Sequence, residues 1–312
     1  MIIKLLIDRN RAEKERNARI YPRIPNPEAV SSLTVLPLID FKTASPEART
    51  EAGVSYLVTA GNYKVLMDVG FNAKREHPSP LLSNMKLFGV TLAEINALFI
   101  SHLHLDHLGG SKDQRKHTFS LSNGPVDFPS IPVHSPLPIK PSSLNFNPDS
   151  EIHVSLDPVR LASGVYGLGS IPRALYLMGY TEEQALAINV AGKGLVLIIG
   201  CGHQKVERVI KRAGQLFDLP IYGIIGGLHF PVHGGRIMIG PVNIQAIVGS
   251  DRMPWNGINE NDVNEAISAI ADAGAKLVSL SAHDSSDWAI DQFKKAFGPA
   301  YADLLVGNPI KI

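Results

Sequence analysis

Cysteine is nearly missing from this chain: Cys201 stands alone among 312 residues. That excludes an intrachain disulfide and any four-cysteine metal site. An excess of charge of either sign is missing too, with 30 Lys and Arg against 29 Asp and Glu. A nucleic-acid surface built on bulk charge is therefore excluded, and no nucleic-acid partner is expected. Long apolar runs are lacking. The first, Ile2–Ile7, is broken by Lys4 and gives way to a charged stretch from Asp8 to Arg19. It is too short for a signal segment or a membrane span, so no membrane partner and a cytoplasmic location are expected. One unpaired thiol is compatible with that compartment. What is present is enough apolar sequence, 45%, to bury a sizeable core. The length allows two domains or one large α/β unit.

Short apolar runs bounded by Gly, Asn or Asp read as strands at Leu33–Ile39, Val54–Ala60, Lys64–Val69, Ala97–Ser101, Leu186–Val190, Leu195–Ile199, Ile221–Ile225 and Lys276–Ser281. Gly61-Asn62 reads as a hairpin turn. Helical periodicity appears at Val206–Phe217, at Val263–Ala271 with Asn259 or Asn261 as cap, and at Ala289–Phe297 after Ser285 and Ser286. Strands that need helices on both sides suggest an α/β fold, a four-layer αββα sandwich or failing that a three-layer sheet. Nine prolines fall between Pro125 and Pro172. That segment reads as a long loop with short strands near Ile131–Val133 and Ile152–Leu156. Gly235–Gly257 reads as a second irregular insertion.

The decisive segment is Ser101-His102-Leu103-His104-Leu105-Asp106-His107-Leu108-Gly109-Gly110. It follows a strand. Two histidines two apart on extended chain can grip one metal, and Asp106 and His107 can serve a second as the chain turns. With 11 histidines in the chain, chance gives this pattern roughly one time in a thousand. Eleven histidines against one cysteine also point to nitrogen and oxygen ligands.

These residues resemble the signature of the metallo-β-lactamase superfamily, position by position at His102, His104, Asp106 and His107. Asp68, in Leu66-Met67-Asp68-Val69-Gly70, is similar to the family's upstream Asp, which braces the metal site without binding metal. Gly169-Ser170-Ile171-Pro172-Arg173, the run Gly192 to His203, and Gly226-Gly227-Leu228-His229 resemble one branch, the dihydropterin-methyl ribofuranosylaminobenzene phosphate synthase-like or metal-dependent hydrolase proteins. The resemblance runs from about Leu33 to the C-terminus. It implies a four-layer αββα metallo-β-lactamase sandwich over 31–312, with 1–30 as an N-terminal extension. It also implies two divalent ions, with zinc expected and manganese or iron as alternatives.

The chain departs from glyoxalase-type relatives. It has no Gly-His-Thr turn, and Gly200-Cys201-Gly202-His203 stands where a bridging Asp is expected. His203 is the favoured ligand there, because three neutral imidazoles make a usual hydrolytic zinc shell. Cys201 is read as a small buried residue beneath the site, with a thiolate ligand as its alternative. His134 is an alternative third ligand. His283, in Ala282-His283-Asp284 after a late strand, resembles the family's closing ligand to the second metal. His229, after a Gly-Gly turn, is expected to steady or protonate the leaving group.

The expected chemistry is hydrolysis of an ester, lactone, thioester or phosphoester of a small molecule, with Asp106 also orienting the attacking water. Arg173, Lys205 and Arg236 are candidate contacts for an anionic substrate. Three readings stand beside hydrolysis. One is a non-hydrolytic pterin-type synthase. One is di-metal redox chemistry, where relatives often carry Glu at the position held here by His104. The third is a closed structural metal clip.

Overall fold

The computed structural model describes residues 2–145, 150–240 and 242–312. The chain divides into two compact units, one of residues 30–156 with 304–312 and a second of residues 2–29 with 157–303.

The first unit is built on a seven-stranded sheet among the described residues. Its order is Ile310–Lys311, Leu33–Ile39, Ser55–Ala60, Tyr63–Met67, Ala97–Phe99, Val133–Ser135 and Ile152–Val154. Ser55–Ala60 and Tyr63–Met67 form a tight hairpin in which Ala60 faces Tyr63 across Gly61-Asn62. From Tyr63–Met67 onward the neighbours run parallel. The strands Tyr63–Met67 and Ala97–Phe99 therefore end on the same side of the sheet, and Asp68 and the Ser101–His107 segment follow those two ends. The core of this unit packs Leu66, Leu98, Ile100, Leu108 and Phe119 with Leu81 and Met85 of the helix Pro80–Leu87.

The second unit is built on a six-stranded sheet among the described residues. Its order is Leu277–Leu280, Ile221–Gly226, Gly194–Ile199, Leu186–Val190, Val165–Gly167 and Val159–Ala162. The first three run parallel. Their carboxyl ends lead into His283, His229 and Cys201–His203 in turn. Loops beyond the carboxyl ends of parallel strands are where α/β sheets bind ligands. The helices Val206–Leu216, Glu260–Asp272 and Asp287–Phe297 bury Val209, Ala213, Val263, Ala266, Ile270, Ala289 and Phe293 against Leu195, Leu197, Ile199 and Ile224. Asn259 caps the second helix in a capping box with Asp262, and the Ser286 hydroxyl caps the third.

Two segments differ from the sequence reading. Residues 2–18 form a helix. Lys4–Asp8, Arg11–Glu15 and Glu15–Arg19 ion pairs at four-residue spacing support it, and the run holds neither Gly nor Pro. Only Leu5, Asp8 and Ala12 are buried along it, so it carries no broad apolar stripe for a periodicity reading to find. The proline-rich stretch holds more sheet than expected, with strands at Val159–Ala162, Val165–Gly167 and Ile171–Leu175, the last paired with Gly179–Glu183. Pro172 sits in that two-stranded hairpin and not in the main sheet, where its missing N–H would interrupt a ladder. Residues 146–149 of that stretch, and residue 241 of the insertion, lie outside the described residues. No described helix is long and apolar enough to cross a membrane.

Candidate metal centre

In the first unit the motif leaves the strand Ala97–Phe99 as extended chain and then turns into a short helix, Leu105–Leu108. His104 is the N-cap, and Gly109 closes the helix at φ 90°. A side chain at Gly109 is doubly barred, since a Cβ there would lie 2.1 Å from the Ser120 carbonyl oxygen. The turn brings three imidazoles together. The His102 ring centroid lies 4.4 Å from that of His104 and 4.2 Å from that of His107. Asp106 Oδ2 stands 3.5 Å from His107 Nε2.

Asp68 lies under this cluster and is fully buried. Its carboxylate accepts from the Ser101 N–H at 2.8 Å and the Ser101 hydroxyl at 2.7 Å, and meets His107 Nδ1 at 2.7 Å. The Ser101 hydroxyl, its hydrogen given to Asp68, lies 2.9 Å from His102 Nδ1. Both rings are thus anchored through Nδ1, the arrangement in which Nε2 would be the nitrogen to serve a metal. Asp68 holds a positive φ of 59°, the left-handed region a non-glycine residue enters only when its surroundings compensate.

His134, the alternative ligand, lies in the strand Val133–Ser135 directly beside His153 of the next strand. The two rings stack at 5.0 Å. Burial, with His153 adding to it, pushes the His134 pKa down to about 4.

In the second unit, His283 is fully buried. Its Nδ1 lies 2.6 Å from the Ser281 hydroxyl and its Nε2 lies 3.2 Å from Cys201 Sγ. Cys201 is buried as well. His203 Nδ1 meets Glu183 at 3.2 Å. The His229 ring packs 4.5 Å from that of His203. His229 Nε2 contacts the Gln245 carbonyl oxygen at 3.1 Å, and its backbone N–H donates to Asp284 at 3.0 Å. The Gln245 amide donates in turn to the His283 carbonyl. A segment read from sequence as an irregular insertion therefore braces two histidines. Gly249, at the end of the helix Ile244–Val248, makes room for the His229 ring: a Cβ there would fall 1.7 Å from His229 Nε2 and push it aside. Ligand atoms of Cys201, His229 and Asp284 lie within 4.8 Å of one another.

The three candidate substrate cations are engaged with the chain itself. Arg173 donates to the His203 carbonyl and to Asp251, Lys205 faces Asp262 at 3.5 Å, and Arg236 donates to the carbonyls of Ala282 and Ser285 and to Asp287. Arg173, Lys205 and His229 line one pocket with Val206, Leu228, Phe230 and Ile258. Residues that sequence reasoning passed over are Ser101, Glu183, Gln245 and Ser281. The Glu182-Glu183 pair ahead of an apolar strand was the signal available for Glu183.

A divalent metal fits these residues on donor chemistry. Four candidate imidazoles, His102 and His107 in one unit and His203 and His283 in the other, are anchored through Nδ1 by hydroxyls or carboxylates, as metal-binding histidines are.

Residues 48–119 match the family model of the metallo-β-lactamase superfamily. A 7,8-dihydropterin-6-methyl-4-(β-D-ribofuranosyl)-aminobenzene-5′-phosphate synthase of Methanocaldococcus jannaschii is 26% identical over 212 residues, covering 58% of this chain and 71% of that protein. A solved structure described as a metal-dependent hydrolase of the β-lactamase superfamily is similar with a TM-score of 0.59 at 17% identity, covering 90% of this chain and 99% of that one. The metallo-β-lactamase fold protein YhfI from Bacillus subtilis is similar with a TM-score of 0.51 at 16% identity, covering 90% and 100%. The fold is thereby shown, as the sequence motif implied.

Proposed function

We propose that this chain, a member of the metallo-β-lactamase superfamily, is a metal-dependent hydrolase acting on an ester, lactone or phosphoester of a small anionic molecule. The observation that carries this is the anchoring of four imidazoles. Nδ1 is held by Ser101 in His102, by Asp68 in His107, by Glu183 in His203 and by Ser281 in His283. Four rings fixed this way are costly to assemble for packing alone and suit metal ligation. The proposed ligands are His102, His104, Asp106, His107, His203 and His283, holding two ions, with zinc the metal best matched to nitrogen and oxygen donors. When bound, such a pair supplies ionised water at neutral pH and polarises the electrophile.

The chain's own residues do the rest. Asp68 holds His107 in place through Nδ1 and Ser101 through its backbone and hydroxyl. Asp106 orients the attacking water. His229, one wall of the pocket lined by Arg173 and Lys205, steadies the leaving group. The pocket's apolar walls exclude water beside it.

A second reading has support of its own. The archaeal relative is a synthase, so a non-hydrolytic group transfer on a phosphorylated pterin-type molecule is the alternative. Elemental analysis of metal-replete protein, joined to a panel of phosphoester, lactone and thioester substrates, tests the proposal. About two ions per chain, a loss of metal in His107→Ala and turnover of one ester class are expected. One ion or none, or a His107→Ala variant with unchanged metal content, overturns it. Full metal loading without hydrolysis of any ester favours the synthase.

A further inference from the structure

The strand Gly179–Glu183 ends in two adjacent buried acids with different partners. Successive strand residues point to opposite faces. Glu182 accepts from Arg19 at 2.6 and 2.8 Å, from Tyr180 at 2.5 Å and from the Ser170 hydroxyl. It ties the chain just after the N-terminal helix to the hairpin. Glu183 reaches the loop Cys201–His203 instead. One of its oxygens accepts from the N–H of Cys201 at 3.2 Å and of Gly202 at 2.7 Å, and the other from the N–H of His203 at 2.9 Å and His203 Nδ1 at 3.2 Å.

Three consecutive backbone N–H groups and one ring nitrogen thus converge on one carboxylate. A carboxylate only accepts, so each of the four contacts is used in the correct sense when His203 carries its hydrogen on Nδ1. His203 is then held at three points: its N–H and ring by Glu183, and its carbonyl by the Arg173 guanidinium. Arg173 is itself braced by Asp251 at 3.1 Å. Cys201 and Gly202 each give Glu183 a single N–H.

We infer that Glu183 is the positioning residue for His203: it fixes the imidazole's rotation and tautomer so that Nε2 presents its lone pair to a divalent metal. The inference rests on His203 being a metal ligand, as proposed above. It assigns Glu183 no contact with metal or substrate.

The test is Co²⁺ titration of the metal-free 312-residue chain, read by visible absorption and by competition with a chelator, on four proteins. These are the wild type and the variants His203→Ala, Glu183→Gln and Glu182→Gln. Each is also checked for fold by circular dichroism and thermal unfolding. Glutamine keeps the shape and one acceptor but turns an amide N–H₂ toward donors, so the cradle is broken with little change in volume. Glu183→Gln is expected to weaken one Co²⁺ site about 10- to 100-fold and to alter its visible spectrum. Glu182→Gln, an equally buried loss of charge one residue away, is expected to lower the unfolding temperature and leave Co²⁺ affinity unchanged. If His203→Ala loses a site while Glu183→Gln binds as the wild type does, or if Glu182→Gln weakens Co²⁺ as much as Glu183→Gln, the inference falls and the metal reading stands. If His203→Ala keeps both sites, the metal reading of His203 falls first and takes the inference with it. Should Glu183→Gln fail to fold, Glu183→Asp replaces it; there the shortened carboxylate keeps the charge but loses reach to Nδ1, and wild-type Co²⁺ affinity in that folded variant overturns the inference.

Discussion

At the scale of single residues, the contrast between Cys201 and His203 is informative. They stand two apart on one loop, each offers an atom suited to a metal, and their surroundings differ. His203 is clamped at backbone and ring by Glu183 and Arg173, whereas Cys201 Sγ is buried beside His283 Nε2. Loss of an anchored imidazole should weaken a metal sharply, while loss of a small buried thiol should mainly cost packing. His203→Ala is therefore expected to lose one metal and activity. Cys201→Ser is expected to keep both ions with modest losses of stability. Metal content and turnover of the two purified variants check this. The opposite pattern, with Cys201→Ser stripped of metal and His203→Ala intact, would make the site a thiolate one.

At the scale of elements, the far edge of the first unit's sheet carries a pH liability. The strands Val133–Ser135 and Ile152–Val154 run parallel and set His134 against His153. Burial keeps the His134 pKa near 4, against an ordinary value of about 6.5. Between those values the unfolded chain takes up a proton at this position that the folded chain refuses. Stability from this group is complete above about pH 6.5 and is lost as pH falls toward 4. His134→Asn should flatten that part of the stability curve. Urea unfolding midpoints measured from pH 7 to pH 4 on both proteins test it, and parallel curves would refute it. The same strand pair shows what was legible at this scale. Its approximate places near Ile131–Val133 and Ile152–Leu156 follow from sequence. Its pairing does not, because 16 residues separate the strands and no local pattern links them. The helix Ile2–Ala18 escaped for a different reason. Four-residue ion pairs, the Arg19–Glu182 contact with the hairpin and the packing of Leu5 on Ala174 and Tyr176 hold it, and one buried leucine is too little to leave an apolar periodicity.

At the scale of the whole molecule, each unit has its own apolar core, and the candidate ligands lie at strand ends and in loops above it. Each fully buried Leu, Ile, Val or Phe contributes about 1.5–3 kcal/mol. Those contacts are independent of any metal, so folding should survive its removal. Chelation, and the variant His104→Ala, are expected to abolish hydrolysis while leaving far-ultraviolet circular dichroism and cooperative thermal unfolding in place. An apo-protein with an unfolded spectrum would show that the metal contributes the folding energy itself, as in small zinc domains.

What the sequence by itself determined is chemistry that is local. The cluster from His102 to His107 carries its donors within six residues, and an extended strand end followed by a glycine turn is enough to bring its rings together. The strands and capped helices of the second unit were legible for the same reason, since periodicity and caps act within a few residues of chain. Only the tertiary structure decided which side chain holds which histidine. Ser101 is adjacent to His102, and the resemblance had marked Asp68 as a bracing residue but not its partner His107, 39 residues away; Glu183, 20 residues from His203, and Gln245, 38 from His283, carried no such mark. A carboxylate or amide at such a separation looks in sequence like any other polar residue. Its role appears only when sheet pairing sets one strand end beside another, and burial then leaves each polar group to find its partner inside the protein.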